Sequence, residues 1–188
     1  KLLISERTQV LMPWHILFDK YEEEKLGSRK FGSTKSGIAP FYSDKYYKIG
    51  IQLCDLYNNK VLKEKLVQIC KTKNLLLKVL YNAQEIDAEE VYNELLLFGE
   101  KISSMVCDTT TFLNRSIKEG KNILLEGQLG ALKDPDHGIY PFTTSSSTLA
   151  GFASVGAGIP PYEIKTIIAV AKSYSSCVGA GPFVTEIH

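Results

Sequence analysis

The chain has 188 residues, 44% of them apolar and 23% charged, with 22 basic against 21 acidic side chains and a formal net charge of +1. That composition suits one globular domain, or a large piece of one, and excludes an extended disordered segment. Near-neutral charge excludes the basic footprint of general nucleic-acid binding, and no apolar run reaches the roughly 20 residues that cross a bilayer; neither observation excludes a small anionic ligand, which needs only a few well-placed donors.

In chain order, Lys1–Ser5 (KLLIS) reads as a strand. A mixed segment with Pro13, Trp14 and His15 follows, and the acidic run Glu22–Glu24 reads as the solvated face of a helix. Residues 27–50 are rich in Gly, Ser, Lys and Tyr, lack a sustained period and read as a long irregular loop. Long loops inside compact proteins are often functional. Leu62, Leu66, Ile69, Leu76 and Leu80 recur at helical spacing over 60–80, up to a turn around Asn82. Asp87, with Glu90 three residues later, fits a capping box, and Val91, Leu95, Phe98, Ile102, Met105, Phe112 and Ile117 carry helical spacing up to a stop at Gly120. Residues 122–126 (NILLE) and 165–171 (KTIIAVA) read as buried strands. Each is followed by a glycine-containing segment, 127–160 and 178–182 respectively. Strands that feed glycine-rich loops and alternate with helices predict an α/β fold with a largely parallel sheet and flanking helices, ligands lying beyond the carboxyl ends of the strands. The chain opens without Met directly on a strand-like run and ends just after a turn, so both termini read as cut from something longer.

Cys54, Cys70, Cys107 and Cys177 are far apart and show neither CxxC pairing nor a histidine spacing suited to zinc, which points to reduced thiols in a cytoplasmic protein. His15 and His188 have no chemical partner in the sequence and read as structural or exposed.

Three segments carry candidate chemistry. Gly32-Ser33-Thr34-Lys35-Ser36-Gly37 offers hydroxyls, a flexible backbone and a lysine, a set that holds a phosphate or simply forms a solvated loop; it is not GxxxxGK[ST], which occurs nowhere in the chain. Glu126-Gly127-Gln128-Leu129-Gly130 leads to Asp134, Asp136 and His137 and then to the hydroxyl cluster Thr143–Thr148. The Asp-x-Asp-His set reads as metal ligands, as an acid–base pair, or as turn chemistry in which side chains bond their own backbone. Val178-Gly179-Ala180-Gly181-Pro182 demands a tight turn or a close backbone approach.

Taken together, GSTKSGIAPFYSDK, NILLEGQLGALKDPDHGIYPFTTSSSTLAG and SYSSCVGAGPFVTE occur in this order and at fitting spacing, and they strongly resemble segments of the adenylosuccinate synthetases, whose usual forms read approximately GTT-x-x-GIGPAY-x-DK, EGAQG-x-x-LDIDHGTYP-x-VTSSNT and VGAGPFPTE. The early LLISE and PWHILFD also look like that family, so the resemblance covers essentially the whole chain. It implies a P-loop NTPase-like α/β fold, with residues 1–188 forming the central part of a single domain. It also implies a ligase that phosphorylates the 6-oxygen of IMP from GTP and then displaces that phosphate with the amino group of L-aspartate.

The family's catalytic base and acid and its Mg²⁺-binding glycine loop lie nearer its N-terminus, and its aspartate- and guanine-binding residues nearer its C-terminus. The resemblance therefore implies no catalytic residue and no metal ligand in this segment, with Mg²⁺ and GTP held elsewhere. What it assigns here is the IMP cradle and part of a homodimer interface. Thr34 and Thr144 match the phosphate-contacting threonines, with Ser33 in place of a further threonine. Val178 matches the valine near the ribose. Lys48 falls where the family has an arginine that reaches into the partner subunit's IMP site, and Leu129 where it has a purine-contacting glutamine, with Gln128 one residue earlier. Lysine at 48 keeps the charge but loses the bidentate fork, and leucine at 129 cannot make the glutamine's hydrogen bonds. These departures imply altered purine contacts or an altered substrate.

Overall fold

The computed structural model describes residues 1–187; His188 lies outside the described residues. It is a helix-rich α/β arrangement with a small parallel sheet. The sheet pairs β1 (Ile4–Ser5) with β2 (Val106–Cys107), Ile4 opposite Val106 and Ser5 opposite Cys107. The helices are α1 (Pro13–Lys25), α2 (Ile38–Tyr47), α3 (Asn59–Tyr81), α4 (Ala88–Ile102), α5 (Thr109–Lys118) and the short α6 (Phe152–Ala157). No described helix is long and apolar enough to cross a membrane. All four cysteines are free thiols, Cys70 buried and Cys54 and Cys177 exposed.

The core forms where α1, α3 and α4 meet the turn at Leu53–Tyr57. It contains Met12, Trp14, Phe18, Ile51, Leu53, Leu56, Leu62, Leu66, Ile69, Leu77, Val91 and Leu95. The Asn58 side chain caps α3 by accepting from the Val61 N–H, and Asn82, at φ +47°, ends it in the left-handed conformation. The apolar stripe of α3 drifts from the expected positions: Leu77 is fully buried, whereas Leu76 and Leu80 are exposed, because Lys73 occupies the turn between and reaches inward to an acid on α2. Asp87 starts α4 by accepting from the Glu89 N–H, one residue short of the capping-box bond. Gly99 of α4 packs against the Leu56 side chain.

Four expectations are corrected. The predicted loop 27–50 contains α2, begun by Gly37 at φ +82° and ended by Lys48 at φ +64°. Its apolar periodicity is absent because its buried residue is Asp44, not a hydrophobe. Pro40 is tolerated in the first turn, where backbone N–H groups lack intrahelical acceptors anyway. The long helical run predicted to Gly120 breaks after Ile102 into β2 and a new helix, α5, capped by Asp108 accepting from the Thr111 N–H. The expected strands at 122–126 and 165–171 are not strands: Leu124 is 88% and Val170 95% exposed, and no described strand lies beside either to take their backbone bonds. The acidic run is not wholly solvated, since Glu23 is buried between exposed Glu22 and Glu24.

His15, Asp19 and Glu23 form a buried polar row along α1, beside the apolar Trp14 and Phe18. This row faces α2 and the loop before it. Asp44 Oδ2 accepts from Trp14 Nε1 and His15 Nε2, each at 3.0 Å, and Oδ1 accepts from Lys73 Nζ at 2.6 Å. His15 Nδ1 accepts from the Met12 N–H at 3.0 Å, so Nε2 carries the proton donated to Asp44. One carboxylate thereby ties α2 to both α1 and α3. Burial pushes the Asp44 carboxyl up, but the donors His15, Lys73 and Trp14 and the lysine charge outweigh it and hold it below the ordinary range.

Tyr81, at the end of α3, stacks on Tyr21 and donates to the Glu22 carboxylate. Burial, with that carboxylate's acceptance and charge, pushes the phenol up to about 12. Spectrophotometric titration is expected to show one tyrosine ionising well above 10, and Glu22→Gln to return it toward the ordinary value. A wild-type curve with no such late tyrosine contradicts the contact.

Candidate functional site

The three glycine-rich segments, distant in sequence, meet in space. The Ala180 N–H donates to the Phe31 carbonyl at 2.8 Å. Gly32, at φ +74°, lies so close to the 178–182 turn that a Cβ there would sit 2.7 Å from Ala180 N and 2.9 Å from Gly179 Cα. Gly181, at φ +108°, lies against Phe142, whose ring carbon would be 2.5 Å from a Cβ. Phe142 in turn meets Phe31 edge to face, with centroids 5.9 Å apart. Lys133 Nζ donates to the Phe142 carbonyl at 3.0 Å. The segments carrying Thr34, Thr144 and Val178 are thus joined by backbone and aromatic contacts at one place.

Buried carboxylates shape two of the three loops. In the middle segment the carboxylate is Asp134, 2% exposed. Its Oδ1 accepts from the Asp136 and His137 N–H groups at 3.0 and 3.1 Å, and Oδ2 from the Thr148 N–H at 3.0 Å. The Thr148 N–H, against the effect of burial and with help from the other two, holds this carboxyl below its ordinary value. Asp134 therefore performs turn chemistry, and the loop closes with Thr148 Oγ1 donating to the Gly130 carbonyl and the Thr144 N–H to the Lys133 carbonyl. Among the described residues no group of three or more His, Cys, Asp or Glu is placed to hold a metal ion. Both oxygens of Asp134 are engaged with loop N–H donors.

In the first segment Asp19 and Glu23 accept from the 32–37 loop. Ser33 is half-buried, with Oγ donating to Asp19 at 2.6 Å and accepting from the Lys35 N–H at 3.0 Å. Thr34 is exposed, its hydroxyl 2.8 Å from that of Ser36. Thr144 is half-buried and Val178 exposed. Gln128 and Leu129 are exposed beside Gly130, and Leu129 holds φ +67°, a strained conformation for a leucine. Lys48 lines a different depression, of about 420 Å³, with Ile49, Gly50, Glu64, Lys65, Gln68 and Ile69. Sequence reasoning missed Asp19, Glu23, Phe31, Lys133 and Phe142. The only available signal was the four-residue spacing of His15, Asp19 and Glu23 along one helix face, just ahead of a Gly/Ser loop.

The cluster brings the exposed Thr34, Lys35 and Ser36 side chains near the hydroxyls of the middle segment. Residues 1–188 match the family model described as Adenylosuccinate synthetase. The adenylosuccinate synthetase of Brachyspira hyodysenteriae is 47% identical over 186 residues, spanning 99% of this chain and 44% of the relative. That of Geobacillus sp. (strain WCH70) is 42% identical over 187 residues, again 44% of its length. The solved structure of a fully ligated adenylosuccinate synthetase from Plasmodium falciparum superposes with a TM-score of 0.89 at 34% identity, over 99% of this chain and 43% of that one. The chain thus spans less than half the length of these relatives.

Proposed function

The chain belongs to the adenylosuccinate synthetase family, and from that premise we propose that residues 1–188 are the central part of one domain of a cytoplasmic, homodimeric ligase that joins IMP and L-aspartate at the expense of GTP, acting in AMP biosynthesis. In this reading the segment supplies the IMP cradle and dimer contacts. Thr34 and Thr144 bind the 5′-phosphate with Ser33 in the same loop, Val178 borders the ribose, Gln128 and Leu129 border the purine, and Lys48 serves the partner's site. GTP and Mg²⁺, which neutralises charge on the transferred phosphoryl group in such reactions, are held by residues outside these 188. The observation that carries the reading is the convergence of the Thr34, Thr144 and Val178 segments through Phe31, Phe142 and Ala180. The exposure of Lys48 in a separate depression suits a role in trans.

The test uses the full-length protein carrying these residues. Hydrogen bonds to a charged group contribute roughly 1.5–3 kcal/mol, so Thr34→Val and Thr144→Val are each expected to raise KM for IMP by about 10- to 100-fold. KM for GTP and aspartate should barely change. Unchanged KM for IMP in both variants would remove the cradle assignment.

A second reading, a divergent or non-catalytic module that binds purine nucleotides and dimerises, draws on Leu129: an exposed, strained leucine stands where the family has a hydrogen-bonding glutamine. Formation of adenylosuccinate by the full-length protein rules this second reading out.

A further inference from the structure

Glycine-rich loops bind phosphate with backbone N–H groups that point outward. In the 32–37 loop much of that donor set points the other way. The Gly32 and Ser33 N–H groups both donate to Glu23 Oε1, at 2.6 and 3.2 Å. Ser33 Oγ donates to Asp19 Oδ1 at 2.6 Å, and the Gly37 N–H to Asp19 Oδ2 at 2.7 Å. Asp19 and Glu23 sit one turn apart on α1, are 8% and 5% exposed, and form no ion pair among the described residues. Their hydrogen-bond partners all belong to this loop.

The loop needs such a hold. Gly32, Lys35 and Gly37 all lie at positive φ, +74°, +56° and +82°. Such a backbone does not keep its shape without external constraint, and the lysine is strained there. Glu23 grips its entry and Asp19 its exit, leaving Thr34, Lys35 and Ser36 as the outward crest. Donors already bonded to a buried carboxylate are not available to a ligand, and Ser33 shares that fate: its hydroxyl is bonded on both sides within the protein.

We infer that Asp19 and Glu23 are positioning residues that fix the 32–37 loop so that Thr34 and its neighbours on the crest meet the nucleotide 5′-phosphate, and that Ser33 belongs to this anchor instead of touching the ligand. The inference rests on the proposed IMP cradle. Two negative charges behind a phosphate site oppose anion binding electrostatically, so what the clamp contributes is geometry. Glu23 separates the two effects, because both of its loop donors use one oxygen, and a glutamine carbonyl can accept both while the charge is removed.

The experiment measures KM for IMP, GTP and aspartate, together with kcat, in the full-length protein. Each lost charge-assisted anchor should displace Thr34, so Glu23→Met is expected to raise KM for IMP about tenfold or more. KM for GTP and aspartate and kcat should stay within about twofold, and Glu23→Gln should restore KM for IMP to near the wild-type value. Asp19→Asn, a milder change that leaves one of two donors without its acceptor, is expected to raise KM for IMP several-fold in the same selective way and covers the case in which the methionine variant does not fold. A general structural role would lower kcat and shift all three KM values together, and that result overturns the inference. So does an unchanged KM for IMP in folded Glu23→Met or Asp19→Asn. If Thr34→Val raises KM for IMP while the clamp variants do not, the clamp is wrong and the cradle stands. If Thr34→Val is also silent, both fail.

Discussion

Replacing Asp44 with alanine is expected to destabilise the protein by about 3–5 kcal/mol, the usual cost of removing one partner from a buried ion pair. Three donors lose their acceptor at once: Trp14 Nε1, His15 Nε2 and Lys73 Nζ. Trp14 and His15 are almost completely buried, so water cannot easily replace the carboxylate. The loss is also structural, since Asp44 is the buried residue of α2 and its link to α1 and α3. Denaturant unfolding at neutral pH measures it, and a midpoint close to wild type would show that α2 is held by something else. The pH dependence supplies a second check. The Asp44 carboxyl is held below its ordinary 3.8 in the folded state, so near and below that pH the unfolded chain binds the proton more readily. The stabilisation from Asp44 is complete above about pH 4 and is lost as the pH falls through the lower, folded value. The gap between wild type and Asp44→Ala should therefore narrow only on the acid side.

The second large effect is expected at Gly32. Alanine there must adopt φ +74°, which disfavours an L residue by roughly 1–2 kcal/mol. Its Cβ also meets backbone atoms of Gly179 and Ala180, which cannot rotate aside as a side chain would. The first and third segments must separate, and the 2.8 Å bond from the Ala180 N–H to the Phe31 carbonyl is lost. Calorimetric titration of the full-length protein with IMP should show affinity falling at least about tenfold, the equivalent of one well-formed hydrogen bond to a charged group. Gly27→Ala is the control. Gly27 also has positive φ, +58°, but open space around it, so strain is similar and the clash is missing. Affinity should stay within about twofold of wild type. Equal losses in the two variants would attribute the effect to backbone strain and not to the meeting of the loops.

The sequence reading succeeded where local pattern and local chemistry coincide. α3 and α4 follow from leucine spacing and from Asn and Asp caps, because a helix closes its own hydrogen bonds and needs its neighbours only on one face. Gly120, at φ +73°, follows α5 as expected. Asp134 does the turn chemistry that its spacing to Asp136 and His137 allows. The three motifs, read as a set, point to the family because each is contiguous in the chain.

The same reading failed where an element depends on distant partners. Residues 122–126 and 165–171 have strand-like composition, but a strand bonds outward, and no described strand lies beside them. α2 was hidden because polar contacts dock it, and a buried aspartate leaves no hydrophobic period to detect.

By itself, then, the sequence determined the family, the two long helices, the near-neutral charge and the candidate residues, since composition, helical spacing and contiguous motifs are properties of the chain alone. Only the tertiary structure decided that Phe31, Phe142 and Ala180 join three remote segments, that Lys48 lines a different depression, and that Asp19 and Glu23 draw loop donors inward. Those contacts join residues that lie up to about 150 positions apart in the chain, and the direction in which a hydrogen-bond donor points is set by the fold that surrounds it.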